Sequence, residues 1–276
     1  MCSMSRPHQG QHIHHHYIRY PVTPGERLWA IFLGPLLIVA LMYLAFTLYP
    51  TLAPPSGPVV PLSSIMLAAL YTCVRLFVAY VFAVIVAVPL ALLVTYNATI
   101  ETLLLPVFDV FESVPILALF PVIILVFIQF NFLNGAAISI LFFTMLWSIV
   151  FTLVGGLKII PRDIIYASQV FGVHGVARLR RVILPAIIPQ FVTGSILALA
   201  QGWNIIIVAE VLHTYIPHGT SAQDLFGIGS ILVSAAANGQ NEVFLASVVV
   251  MVVIIAVFNF FVWQKLLHFA QRFRFE

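Results

Sequence analysis

Two charged side chains lie inside long apolar stretches of this sequence, where a charge is costly unless something compensates it. Arg75 falls in an apolar run of residues 68–95, and Glu210 falls near the end of another, 186–212. A lone charge within a membrane costs several kcal/mol, and pairing or contact with water is the usual compensation. The two residues are at similar depth in their runs, so the sequence predicts an ion pair between two helices. The alternative is that Arg75 forms an outer gate or contacts an anion.

A polar stripe runs along the segment 186–212. At about 100° per residue its members fall within about 60° of one line, and they are Gln190, Thr193, Gly194, Gln201 and Asn204. A surface that faces lipid would not carry such a stripe. We therefore expect Gln190, Gly194, Gln201 and Asn204 to line a polar pathway, together with Arg75 and Glu210. The alternative for the stripe is hydrogen bonding between helices.

The residues needed for covalent chemistry do not occur in a recognisable pattern. The sequence has no G-x-x-x-x-G-K-[ST] motif and no Gly-Lys pair, so a phosphate-binding loop of that type cannot form. No grouping of Ser, His and Asp, and no Cys/His cluster within the apolar runs, indicates catalysis or a metal site. We expect this chain to have no catalytic residues and to bind no cofactor.

Composition places the chain in a lipid bilayer. Its 276 residues are 62% hydrophobic and 8% charged, whereas soluble domains carry about 25% charged residues. The apolar runs predict six membrane-spanning helices at 28–49, 68–95, 106–130, 135–157, 186–212 and 241–264. The first run is followed by no small-x-small cleavage site and is longer than a signal-peptide core, so it is expected to be a retained span. We expect a single membrane domain over residues 28–276.

The positions of Lys and Arg predict the orientation of these spans. The segments 50–67, 131–134 and 213–240 contain no Lys or Arg. Cytoplasmic segments carry an excess of both residues, so the pattern predicts that both termini are cytoplasmic.

The tail 1–27 is rich in histidine, with His8, His12, His14, His15 and His16 among Pro, Gly and Gln. Neither the spacing nor any thiol partner defines a metal site. We expect a disordered cytoplasmic tail, and adventitious or regulatory metal binding is the alternative.

The segment between the fourth and fifth predicted spans carries the most specific motif. It reads Tyr-Ala-Ser from Tyr166, then three residues, Gly172, nine residues, and Val-Ile-Leu-Pro ending at Pro185. This pattern resembles the cytoplasmic signature of ABC importer permeases, which is E-A-A, three residues, Gly, nine residues and I-x-L-P. The match holds at Ala167, Gly172, Leu184 and Pro185, whereas Tyr166 and Ser168 depart from it.

The second and third predicted spans resemble the nitrate, sulfonate and taurine branch of that family. Arg75 opens the second span, Pro89-Leu90 lies near its end, and Pro115 and Pro121 follow in the third. The resemblance covers about residues 60–265. Each proline inside a span frees a backbone carbonyl, so these helices are expected to face protein, either as hinges or as ordinary kinks.

The resemblance implies a fold and a set of partners. The fold is an all-α membrane protein of the type I ABC importer (MetI-like) class, with about six transmembrane helices and a cytoplasmic coupling helix within 162–185. The implied partners are ABC ATPase subunits that bind ATP and Mg, a second copy or a homologous permease, and a periplasmic or lipid-anchored solute-binding protein; no nucleic acid is implied. A short helix near the outer mouth is implied within 213–240. The implied location is a bacterial inner membrane.

The resemblance also implies contacts and a solute. The residues expected to contact the ATPase are Tyr166, Ala167, Ser168, Gly172, Arg178, Arg181, Leu184 and Pro185. The alternative for this segment is a solvated amphipathic helix at the lipid headgroups. The implied solute is a small oxoanion or sulfonate, such as nitrate, bicarbonate, a sulfonate or taurine.

The rival interpretation is an energy-independent secondary carrier or channel. A secondary carrier normally needs ionisable groups near the middle of the membrane. Asp109 and Glu112 are expected at the inner end of the third span, so the middle positions offer only amides. This favours an ATP-driven importer.

Overall fold

The computed structural model describes residues 60–216 and 218–273. The predicted first span and the histidine-rich tail lie outside these residues. Every regular element in the described part is a helix, as the predicted fold class requires.

Helix α1 spans Leu62–Tyr96 and contains the whole of the second predicted span. Its buried face carries alanines four residues apart, namely Ala79, Ala83, Ala87 and Ala91, and all four are fully buried. Small residues at this spacing let two helices approach closely. The opposite face exposes large apolar side chains such as Phe77 and Ile85, which suits contact with lipid.

The third predicted span, 106–130, is not one continuous helix. Helix α2 covers Ala98–Ser113 and helix α3 covers Ile116–Gln129, with an angle of 87° between them. Pro115 lacks an N–H group and holds Val114 in an extended conformation, so the helix cannot continue through this dipeptide. Asn97 caps the start of α2 by accepting hydrogen bonds from two backbone N–H groups.

Helix α4, Leu133–Ile159, is the centre of the bundle and packs against both α1 and the later helix Ile188–Glu210. A short helix α5, Arg162–Val170, follows it. The chain then passes through one helical turn at Gly175–Arg178, a π-helical turn at Leu179–Ile183 and a turn at Leu184–Ala186. Helix α6 covers Ile188–Glu210.

Two longer helices follow, α7, Ile228–Ala237, and α8, Asn241–Phe258. The chain continues from α8 through a π-helical turn and two further short elements to Phe273, so the apolar span reads Asn241–Phe273. Among the described residues four helices are long and apolar enough to cross a membrane, or five if α2 and α3 count as one bent span. The number six therefore stays a prediction.

Candidate functional site

A buried polar cluster joins α1, α4 and α6 at one end of the bundle. Glu210, the last residue of α6, is fully buried, and its Oε1 pairs with Arg75 Nη1 of α1. The same oxygen accepts a hydrogen bond of 2.7 Å from Thr72 Oγ1. Arg75 Nε and Nη2 donate to Asn134 Oδ1 of α4 at 3.3 and 3.1 Å. The predicted pairing of Arg75 with Glu210 is confirmed, and Thr72 and Asn134 are partners that sequence reasoning missed.

The first turn of α7 completes this buried polar cluster. Gly229 N donates to Glu210 Oε2 at 2.7 Å, and Ile228 N donates to Thr72 Oγ1 at 3.0 Å. A carboxylate is favoured at a helix N-terminus by the open N–H groups and by the helix dipole. A Cβ atom at Gly227 would overlap the Glu210 carboxyl group. The glycine therefore allows α7 to dock on the end of α6.

Arg75 and Glu210 are 6% and 0% exposed, so the chain itself encloses both charges. Their partners come from four helices, which matches a structural ion pair. Their expected place in a polar pathway remains a prediction.

An open groove of about 680 Å³, with many exposed lining residues, lies where α2, α3, α4 and α6 meet. Its polar lining consists of Glu112, Thr144 and Gln201, and the rest is Val, Leu, Ile, Pro and aromatic side chains. A volume of this size matches that of pockets for small organic ligands, about 300–1,000 Å³. We call this space the central cavity.

The polar stripe of α6 divides between two environments. Gln201 lines the central cavity, where its Oε1 accepts a hydrogen bond of 2.9 Å from Ser148 Oγ, and Asn204 is exposed. Gly194 is buried, and a Cβ there would lie 3.4 Å from the Cα of Ile149 in α4. Gln190 of α6 packs on Gly156 of α4. Gln201 thus makes the interhelical hydrogen bond of the alternative while it lines the cavity, whereas Gly194 and Gln190 contribute close packing between α4 and α6. The expected pathway role of the stripe remains a prediction.

Glu112 lies elsewhere than the sequence predicts. Glu101, in the first turn of α2, pairs with Lys158 at the far end of α4, with Nζ and Oε1 2.5 Å apart. From there α2 rises about 1.5 Å per residue, and Glu112 lines the same cavity as Thr144, which is near the middle of α4. The Val114-Pro115 dipeptide is the sequence signal that could have revealed this separate helix.

The segment 162–185 carries a large exposed apolar surface. Val170, Phe171 and Val176 are 85%, 82% and 70% exposed, and Tyr166 is also exposed. Ala167 and Arg181 are exposed as well, whereas Arg178, Leu184 and Pro185 are half-buried. Ser168 is buried and donates to the carbonyl of Ile165 at 2.7 Å, so it holds the segment's own fold.

Gly172 ends α5 in a left-handed conformation, with φ of 70°. Residues with a Cβ rarely adopt this conformation, and glycine and asparagine adopt it most readily. No atom lies within 4 Å of the place where a Cβ would stand. Within the described chain, glycine is therefore explained by backbone conformation.

Comparison with known proteins identifies the family. The model of the family described as binding-protein-dependent transport system inner membrane component matches residues 79–274. The nitrate import permease protein of Leptolyngbya laminosa is 30% identical over 156 residues, which is 56% of this chain and 55% of that protein. The taurine transport system permease protein of Escherichia coli is 26% identical over 180 residues, 65% of this chain and 61% of that protein. The chain covers about half to three fifths of these relatives.

The fold agrees with that of a solved transporter. A chain of the MetNI methionine ABC transporter, in inward-facing conformations, aligns with a TM-score of 0.61 and 19% identity over 75% of this chain and 96% of that one. This confirms the MetI-like fold. Because the family model matches more than half of the 276 residues, this multi-pass membrane protein belongs to the binding-protein-dependent transport system inner membrane component family, the permeases of ABC importers.

Proposed function

We propose that this chain is the permease subunit of an ATP-driven importer in a bacterial inner membrane. It forms part of a solute pathway and couples to a separate ATPase through the segment 162–185. Its family membership carries the proposal. The exposed Val170, Phe171 and Val176 support the coupling, because large apolar side chains grouped on one surface mark a protein interface.

The partners follow from this role. Two ATPase subunits supply ATP and Mg, a second copy or a homologous permease completes the pathway, and a solute-binding protein delivers the solute. Closure of the ATPase would move the coupling segments and switch the access of the cavity between the two sides. Both termini are cytoplasmic in this arrangement.

An energy-independent carrier is the second candidate, and the position of Glu112 favours it, since carriers use ionisable groups in the middle of the membrane. Uptake into vesicles separates the two functions. An importer stops when the P-loop lysine of the co-purified ATPase is replaced by alanine, and a carrier continues. Continued uptake by that variant would refute the ATP-driven role.

The docking surface can be tested with a matched pair of variants. Phe171→Ala removes a side chain that is 82% exposed in the segment 162–185, and Phe130→Ala removes one that is 72% exposed in the α3–α4 turn. Loss of an interface anchor costs about 2 kcal/mol, which is roughly a 30-fold loss of affinity. We expect Phe171→Ala to lower ATPase co-purification and Phe130→Ala to preserve it. Equal co-purification of both variants would contradict the docking role.

A further inference from the structure

Glu112 of α2 is a carboxylate exposed at the wall of the central cavity. It lines the central cavity with Thr144 of α4 and Gln201 of α6. Both of these neighbours lie near the middle of their own helices, Leu133–Ile159 and Ile188–Glu210. A charge at this depth requires a partner, water or a ligand.

The described part of the chain supplies no cation for this carboxylate. Its lysines and arginines are Arg75, Lys158, Arg162, Arg178, Arg180, Arg181, Lys265 and Arg272. None of them lines the central cavity or forms an ion pair with Glu112. Arg75, the one placed deep in a span, is held by Glu210 and Asn134. Among the described residues, a small oxoanion in the cavity would therefore meet a negative charge and no positive one.

The walls of the cavity suit a flat apolar body. Phe111 and Trp147 both line it, with ring planes 8° from parallel and centroids 6.0 Å apart. Phe143 adds a third aromatic side chain. Aromatic faces attract cations as well as other rings. Beside Glu112, this wall favours a positively charged group attached to a ring.

We propose that the central cavity accepts an aromatic or similarly flat apolar solute that carries a positive charge. Glu112 compensates the charge, the wall of Phe111 and Trp147 receives the apolar body, and Gln201 offers its amide. The inference rests on the proposed permease role and replaces the small oxoanion that the resemblance implies. It makes Glu112 a determinant of solute charge.

Three probes with one ring and different charges test this inference. Benzylammonium, benzyl alcohol and benzenesulfonate are titrated by ligand-detected NMR against the purified permease–ATPase complex in nanodiscs, with empty nanodiscs subtracted for partition into lipid. We expect affinity to fall in that order. One charge in a water-accessible site changes affinity by up to about fivefold. The cation and the sulfonate differ by two charges, so the cation should bind several-fold tighter, with an upper limit of about 25-fold. Any other order, or tighter binding of nitrate, would overturn the proposal.

Two variants test whether Glu112 causes the order of affinities for the three probes. Glu112→Gln keeps the shape and removes the charge, so it should bring the affinities for the cation and the alcohol together. Asp109→Asn removes an exposed charge from the same helix outside the cavity lining and should leave the order unchanged. An unchanged preference in Glu112→Gln would refute the role of this residue. If Glu112→Gln does not fold, the test of the inference rests on Glu112→Asp and on the order of probe affinities in the natural protein.

Failure of this inference can be distinguished from failure of the proposed permease role. Uptake without ATP hydrolysis would remove the importer function and leave the charge preference of the cavity intact. Preference for the sulfonate in a complex that hydrolyses ATP would remove this inference alone.

Discussion

At the scale of the residue, two carboxylates of the described helices, Glu210 and Glu112, have opposite surroundings. Glu210 is enclosed by donors from Thr72, Arg75 and Gly229. Glu112 faces a cavity and forms no ion pair with the described residues. A carboxylate whose partners are built into the fold stabilises that fold. One that lacks them is available to a ligand.

The Arg75–Glu210 pair predicts coupled losses of stability. Arg75→Ala or Glu210→Ala leaves the other charge buried, which costs about 3–5 kcal/mol, whereas the double variant leaves no uncompensated charge. We expect each single variant to unfold at a lower temperature than the double, measured in the same detergent. If the single losses simply add in the double variant, the residues are independent and the pair has no coupling energy.

At the scale of the element, two glycines are required for different reasons, one where α7 packs on α6 and one where the chain leaves α5. Gly227 lets α7 approach the end of α6, since a Cβ would overlap the Glu210 carboxyl group. Gly172 turns the chain after α5 through its positive φ, with open space around it. The sequence motif suggested that Gly172 provides a flat surface for a partner. The conformation gives a reason that needs no partner.

Substitutions at Gly172 separate the two reasons. Asparagine tolerates the left-handed conformation and adds bulk, whereas alanine is small but strained at φ of 70°. We expect Gly172→Asn to retain more ATPase binding than Gly172→Ala, because the structure requires the conformation. The reverse order would show that a small side chain facing the ATPase matters more than the left-handed backbone conformation. Gly155→Ala, in open space on α4, serves as the control.

At the scale of the whole molecule, the distribution of charge sets the orientation in the membrane. No Lys or Arg occurs in 50–67, 131–134 or 213–240, and this pattern predicts that these segments lie outside. We expect cysteines placed at Ser56 and at the exposed Ser221 to react with an impermeant reagent in intact spheroplasts. Reaction of both only in inverted vesicles would reverse the predicted topology.

The membrane class, the helical architecture and the family could be predicted from the residues alone. Apolar runs of about 20 residues can satisfy their backbone in a bilayer only as helices or closed barrels, and the Gly172 to Leu184-Pro185 spacing is specific. The sequence also predicted the Arg75–Glu210 pair, because two costly charges at equal depth need one another. The partners of that pair, the break at Pro115 and the place of Glu112 on one cavity with Thr144 and Gln201 became visible only in the structure. Those features depend on which helix faces which, and hydropathy along one chain carries no information on contacts between distant segments.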